Sequence, residues 1–215
     1  MSKRILSLLF VSSFLLVACA SEENELTVED AEIEKVEETE QVEEEPEEET
    51  ESIVGSRSNP VPINKKVSQE FEYYSHDDME SDEKYKGNRS IILSNFTRGE
   101  EVYNYLIEAN QFNEEAPEDM EWAMIDVEYT LNEAETEDES QFVSPDFVII
   151  DSRGSEVAQD EVYPTLNSGD EFGYVELYSG GTASGKYVFY VPENDEILIK
   201  YDDWNAKPIF FNPNE

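Results

Sequence analysis

The sequence predicts an all-β antiparallel sandwich with one short helix, preceded by an acidic linker. Three observations carry that prediction. Short apolar stretches alternate with turn signals from residue 56 onward, aromatic residues recur through them, and only one segment has helical spacing. The chain has 215 residues and a single cysteine, Cys19, so no disulfide can form within it.

Residues 1–18 read as a signal peptide. Lys3 and Arg4 give a basic start, and Ile5 to Val17 form an apolar run shorter than the roughly 20 residues that span a bilayer. The run ends on Leu16-Val17-Ala18-Cys19, which resembles the lipobox of bacterial lipoproteins. That resemblance implies diacylglyceryl modification of the Cys19 thiol and a new N-terminus there. The expected location is the outer face of a cell membrane, facing the extracellular side, with stable anchoring by more than one acyl chain.

Residues 19–55 are expected to be a lipid-anchored, disordered acidic linker. Across 20–52 there are 17 acidic residues and one basic residue, Lys35. Like charges at helical spacing repel, Pro46 stops any helix, and the few apolar residues hold no heptad. Fully stretched, such a spacer reaches about 110 Å at roughly 3.3 Å per residue.

Residues 56–215 are assigned to the sandwich domain. "NRSIILSNFTRG" (88–99) reads as a strand closed by Gly99. "EEVYNYLIEANQF" (100–112) sets Val102 and Leu106 four apart with Asn110 near its end, the pattern of one short helix. "EWAMIDVEYTL" (121–131) alternates: Ile125, Val127, Tyr129 and Leu131 fall on one face, Asp126, Glu128 and Thr130 on the other. "PDFVIIDSRG" (145–154) is a further strand. "EFGYVELYSGGTASGKYVFYVP" (171–192) is read as strand, glycine turn and strand, and "DEILIKYDDW" (195–204) adds another. About six strands result.

Within that stretch, Gly180 and Gly185-Lys186 approach the nucleotide-binding pattern G-x-x-x-x-G-K-[ST]. Phosphate binding there needs a helix after the loop and a hydroxyl after the lysine. Tyr187 stands at the hydroxyl position and "KYVFYVP" is strand-like, so a turn is expected and no nucleotide.

The segments 59–67, 95–129, 145–154 and 179–201 together resemble bacterial domain-of-unknown-function family number 4352. The features that carry the resemblance are Arg98-Gly99 leading to Asn110, Glu121-Trp122 opening the central strand, and Gly181 and Gly185 before Phe189-x-Val191-Pro192. The resemblance implies a telokin-like, immunoglobulin-like fold on a lipoprotein. It implies no activity and no catalytic residues. The chain departs from the family pattern in its overall acidity and in an acidic insert between Phe71 and Asn88.

Charge excludes further classes. The net charge is −39, and residues 53–215 hold 36 acidic against 11 basic residues. Such a surface repels nucleic acid. His76, the only histidine, lies in "YYSHDDMESDEKY" (73–85) with no nucleophile motif, and one histidine with one cysteine leaves no transition-metal set. No catalytic residue and no cofactor are expected.

The metal-ligating candidates are Asp78, Glu80 and Asp82, spaced like the first ligands of a calcium loop. Glu83 replaces the required glycine, and Arg89 stands where the bidentate glutamate belongs. The loop Glu133–Glu139 is a second calcium candidate. Tyr174, Tyr178 and Phe189 fit core and cross-strand packing better than a sugar-stacking face. The expected role is a non-enzymatic binding or structural module of the cell envelope, its partners the membrane through Cys19 and a protein or cell-wall component. A calcium-binding module and, behind it, an envelope hydrolase are the alternative readings.

Overall fold

The computed structural model describes residues 26–30, 54–75, 83–159 and 163–214. They form the expected all-β sandwich of largely antiparallel sheets with one short helix. In chain order the elements are β1 (Leu26–Asp30), β2 (Val61–Pro62), β3 (Lys65–Tyr74), β4 (Lys84–Arg98), α1 (Glu100–Ala109), β5 (Met120–Ala134) and β6 (Gln141–Val143). There follow β7 (Phe147–Asp151), β8 (Val175–Leu177), β9 (Thr182–Pro192), β10 (Ile197–Tyr201) and β11 (Ile209–Asn212).

One sheet runs β1-β3-β4-β5-β9, the second β2-β11-β10-β7, and β6 pairs with β8 in a small third ladder. Every strand pairing is antiparallel except β11 against β2. The core is the seam between the two larger sheets. Ile91, Leu93, Ile125, Val127, Tyr129, Leu131 and Phe189 meet Ile197, Ile199, Tyr201, Ile209 and Phe211, all buried. The rings of Tyr129 and Tyr201 meet across it at 6.3 Å.

β5 follows its sequence pattern: the four residues assigned to its inner face are all buried, while Asp126, Glu128 and Thr130 are not. α1 forms where the spacing places it. Gly99 enters it at φ 82°, a conformation that L side chains rarely adopt, and Val102 and Leu106 bury its inner face against Trp122 and Tyr190.

Three expectations need correction. The acidic linker is not featureless, because Leu26–Asp30 pairs with β3 as an edge strand. Leu26 and Val28 pack on the core, and the register sets Glu29 and Asp30 opposite Lys66 and Lys65. Strands number eleven among the described residues, since charged stretches such as Lys65–Tyr74 pair through one apolar face. The acidic insert is shorter than it reads, because Lys84–Gly87 continues β4 opposite Phe71–Tyr74.

The glycine turn links two strands as expected, β8 and β9, which belong to different sheets. Gly180, at φ 82°, donates its N–H to Leu131 O at 2.7 Å, and Leu131 donates to Gly181 O at 3.0 Å. A strand, not a helix, follows the turn.

The largest fully buried side chain is a charged one. Arg89 is 1% exposed and shares the inward parity of Ile91 and Leu93 on β4. Its guanidinium makes a two-pronged ion pair with Asp203, with Nη2 to Oδ1 at 3.2 Å, and donates to Gln69 Oε1 at 2.7 and 3.1 Å. The rings of Phe71 and Tyr201 lie 4.7 and 5.1 Å from it. Gln69 in turn donates to Lys207 O at 2.7 Å, so this cluster ties the first sheet to the β10–β11 connection.

Candidate functional site: an aromatic groove beside β9

Most of the site residues singled out from the sequence carry no structural description. Cys19, His76, Asp78, Glu80 and Asp82 lie outside the described residues. The Glu133–Glu139 loop is described, and two of its carboxylates are committed to the fold. Glu135 accepts the Lys86 N–H at 3.0 Å, and Glu139 accepts the Ser75 hydroxyl. Among the described residues no three carboxylate, histidine or cysteine groups come together as a metal site.

The surface offers something the sequence reading passed over. Of the three aromatics assigned to packing, only Phe189 is buried; Tyr174 is 72% exposed and Tyr178 is 47% exposed. Tyr174 and Tyr163, itself 80% exposed, line a groove of about 330 Å³ alongside β9. Its other walls include Trp122, Leu166, Phe172, Tyr187 and Val188. Phe142 stacks on Tyr174, with centroids 5.6 Å apart and planes 15° from parallel, which widens the aromatic face.

The helix region fixes both walls. After α1, Asn113 is buried and its amide is fully used: Nδ2 donates to Leu106 O at 2.7 Å and to Thr165 O at 2.8 Å, while Oδ1 accepts the Thr165 N–H at 2.8 Å. That holds the segment carrying Tyr163 and Leu166. On α1 itself, the Tyr105 hydroxyl donates to Asp170 Oδ2 at 2.8 Å, which holds the turn leading to Phe172. Burial, then the bond to Asp170, push the Tyr105 phenol up to about 12, so it stays a donor at neutral pH.

The chain from Asp170 to Phe172 then lies along β9. Lys186 N–H donates to Asp170 O at 2.6 Å, and Phe172 N–H donates to Lys186 O at 2.9 Å. This approach explains Gly185. A Cβ there would stand 2.5 Å from Phe172 N and 2.7 Å from Glu171 C, so only glycine lets the two chains meet. Phe172 consequently reaches the core, where its ring lies 6.2 Å from that of Phe147.

Charge in the groove is uneven. Lys186 is paired with Asp126 at 2.8 Å. Glu171 is exposed, and among the described residues no cation lies within ion-pair reach of it. Burial, then the nearby Asp146 carboxylate, push the Tyr187 phenol up to about 12. The groove therefore presents ring faces, phenol donors and one open carboxylate.

The fold and the groove define a β-sandwich with an exposed aromatic groove beside one edge strand. No family model matches the chain, and no curated protein or solved structure matches it. Among the described residues no helix is long and apolar enough to cross a membrane.

Proposed function

We propose that this chain is a lipid-anchored, non-enzymatic binding module of the bacterial cell envelope, using the groove beside β9 as its contact surface. The lipobox-like Leu16-Val17-Ala18-Cys19 supports attachment through a lipid on Cys19, facing the extracellular side. The proposed resemblance to domain-of-unknown-function family number 4352 agrees with a surface lipoprotein and brings no established activity to carry over.

The observation that carries the contact surface is the exposure of Tyr163 and Tyr174 over a groove that a hydrogen-bonded frame holds open. Solvent-exposed aromatic rings grouped in a concavity mark binding surfaces, since water gains nothing from contact with them. The acidity of the whole chain disfavours nucleic acid as the ligand.

Two measurements test the two halves. Cys19→Ser should move the protein from the membrane fraction to the medium; retention in the membrane fraction overturns the anchor. The purified full chain in detergent should co-sediment with isolated envelope from which membrane lipid has been extracted, so that the acyl chains have no bilayer to enter, and the double variant Tyr163→Ala/Tyr174→Ala should not. Equal sedimentation by a folded double variant overturns the groove as contact surface.

A further inference from the structure

We infer that the groove takes an extended, basic peptide segment, paired through its backbone to an open position on the edge of β9; this rests on the groove being the contact surface. β9 has a strand partner, β5, on one side only. In an antiparallel pair the backbone groups of every second residue point away from the partner. Two positions of that parity on β9, Lys186 and Tyr190, are capped.

At Tyr190 the cap is a side chain. Gln159 Oε1 accepts the Tyr190 N–H at 3.0 Å, and Gln159 Nε2 donates to Tyr190 O at 2.9 Å. At Lys186 the cap is main chain, from Asp170 and Phe172. Val188 lies midway and has the same parity, so its N–H and C=O also point away from β5. It lines the groove, and among the described residues nothing bonds to those two groups on that side.

An unpaired edge position is a template for another strand. The two caps also show which chemistry this edge accepts: each supplies an amide donor and an amide acceptor together. The gap between them spans four residues of β9, about 13 Å at roughly 3.3 Å per residue. That accommodates a short extended segment and not a whole strand.

Charge selects the kind of peptide. Glu171 is exposed at the Lys186 end, Lys186 is already paired, and the open ring faces of Tyr163 and Tyr174 suit lysine or arginine. A chain holding 36 acidic against 11 basic residues over 53–215 also draws a basic segment in and repels a second copy of itself.

The test is fluorescence anisotropy with the full chain in detergent. The probe is a labelled, terminally blocked heptapeptide alternating lysine and valine. It should bind, and two controls should bind about three- to tenfold weaker, the loss expected for one backbone hydrogen bond or one exposed ion pair with the added like-charge repulsion. One control carries an N-methyl group on its central valine; the other has glutamate in place of lysine.

Val188→Pro removes the outward N–H at an edge position that tolerates proline and keeps an apolar ring against the Trp122–Tyr190 cluster, and Glu171→Lys reverses the open charge. Each should weaken the lysine peptide by a similar factor. Equal binding of the N-methylated peptide, or undiminished binding by both folded variants, overturns the inference. So does absence of peptide binding by a chain that still sediments with envelope through Tyr163 and Tyr174, a result that leaves the groove standing. Failure of both assays removes the groove as well.

Discussion

Replacing Arg89 by methionine isolates the charge at the centre of the sandwich. Methionine keeps an unbranched stem of similar reach between Phe71 and Tyr201, so the guanidinium is the main loss. What remains is the Asp203 carboxylate, with a side chain 6% exposed, facing only Asn205 at 3.2 Å for each of two donors and the Tyr201 hydroxyl at 3.4 Å. Gln69 Oε1 loses both of its donors. Removing one partner of a buried ion pair costs about 3–5 kcal/mol, a large share of the ~5–15 kcal/mol that holds a domain folded. For a domain of this size the melting temperature should fall by about 10 °C.

Two controls separate charge from packing. Arg89→Met/Asp203→Leu should recover most of the loss, because no charge is then stranded. The pH dependence has a defined sign. Burial alone would raise the Asp203 carboxyl, but Arg89 beside it prevails and holds it below the ordinary carboxylate value. In the wild type this contribution is full above the unfolded value near 3.8 and is lost as pH falls through the lower folded value. Without Arg89, burial raises Asp203, and protonation then relieves the stranded charge as pH falls. The stability gap between wild type and Arg89→Met, measured by urea unfolding, should therefore narrow from pH 7 to pH 4. A loss below about 1 kcal/mol, the value of an exposed pair, or a gap independent of pH, would refute the reasoning.

Two further variants probe the frame of the groove. Gly185→Ala places a Cβ within 2.5–2.8 Å of the Glu171–Phe172 backbone. Thermal melting should show a loss of about 2–4 kcal/mol, from two hydrogen bonds and partial withdrawal of Phe172; an unchanged melting temperature would mean the two chains are not held together. Asn113→Ala strands the Thr165 N–H and C=O and leaves Leu106 O with the Asn110 N–H alone, and about 2–3 kcal/mol should be lost. The same variant should speed amide exchange at Thr165, followed by mass spectrometry, and unchanged exchange would show that Asn113 does not hold that wall.

The parts of the fold legible in the sequence are those whose partners are local or whose faces are cleanly sorted. β5 alternates over its length, and α1 has its apolar pair, its entering glycine and a closing asparagine within a dozen residues. β1 was hidden because its pairing is nonlocal. Leu26 and Val28 look incidental among acids until they are placed opposite Gln69 and Val67 of β3, some forty residues on, where both pack on the core. Arg89 was legible in principle, since it shares parity with Ile91 and Leu93, but a lone charge in an apolar register reads as a solvated residue unless Asp203 is known to meet it.

The groove was illegible for a different reason. Tyr174 and Phe189 stand in similar alternating stretches, and alternation alone cannot say which sheet a strand joins. β8 leaves the main sheets to pair with β6, so Tyr174 turns outward onto Phe142, while Phe189 stays in the five-stranded sheet and is buried. The same divergence gives the glycines of "SGGTASGKY" their function. Gly180 and Gly181 let the chain change sheets, and Gly185 lets Glu171–Phe172 cover part of the β9 edge that this change leaves bare. Covering stops at Lys186 and resumes at Tyr190, and aromatic rings exposed to water border the position left between. An edge closed on both sides of a single residue is protected from indiscriminate strand pairing yet still offers one donor and one acceptor, which is the condition for selective recognition of a short extended ligand.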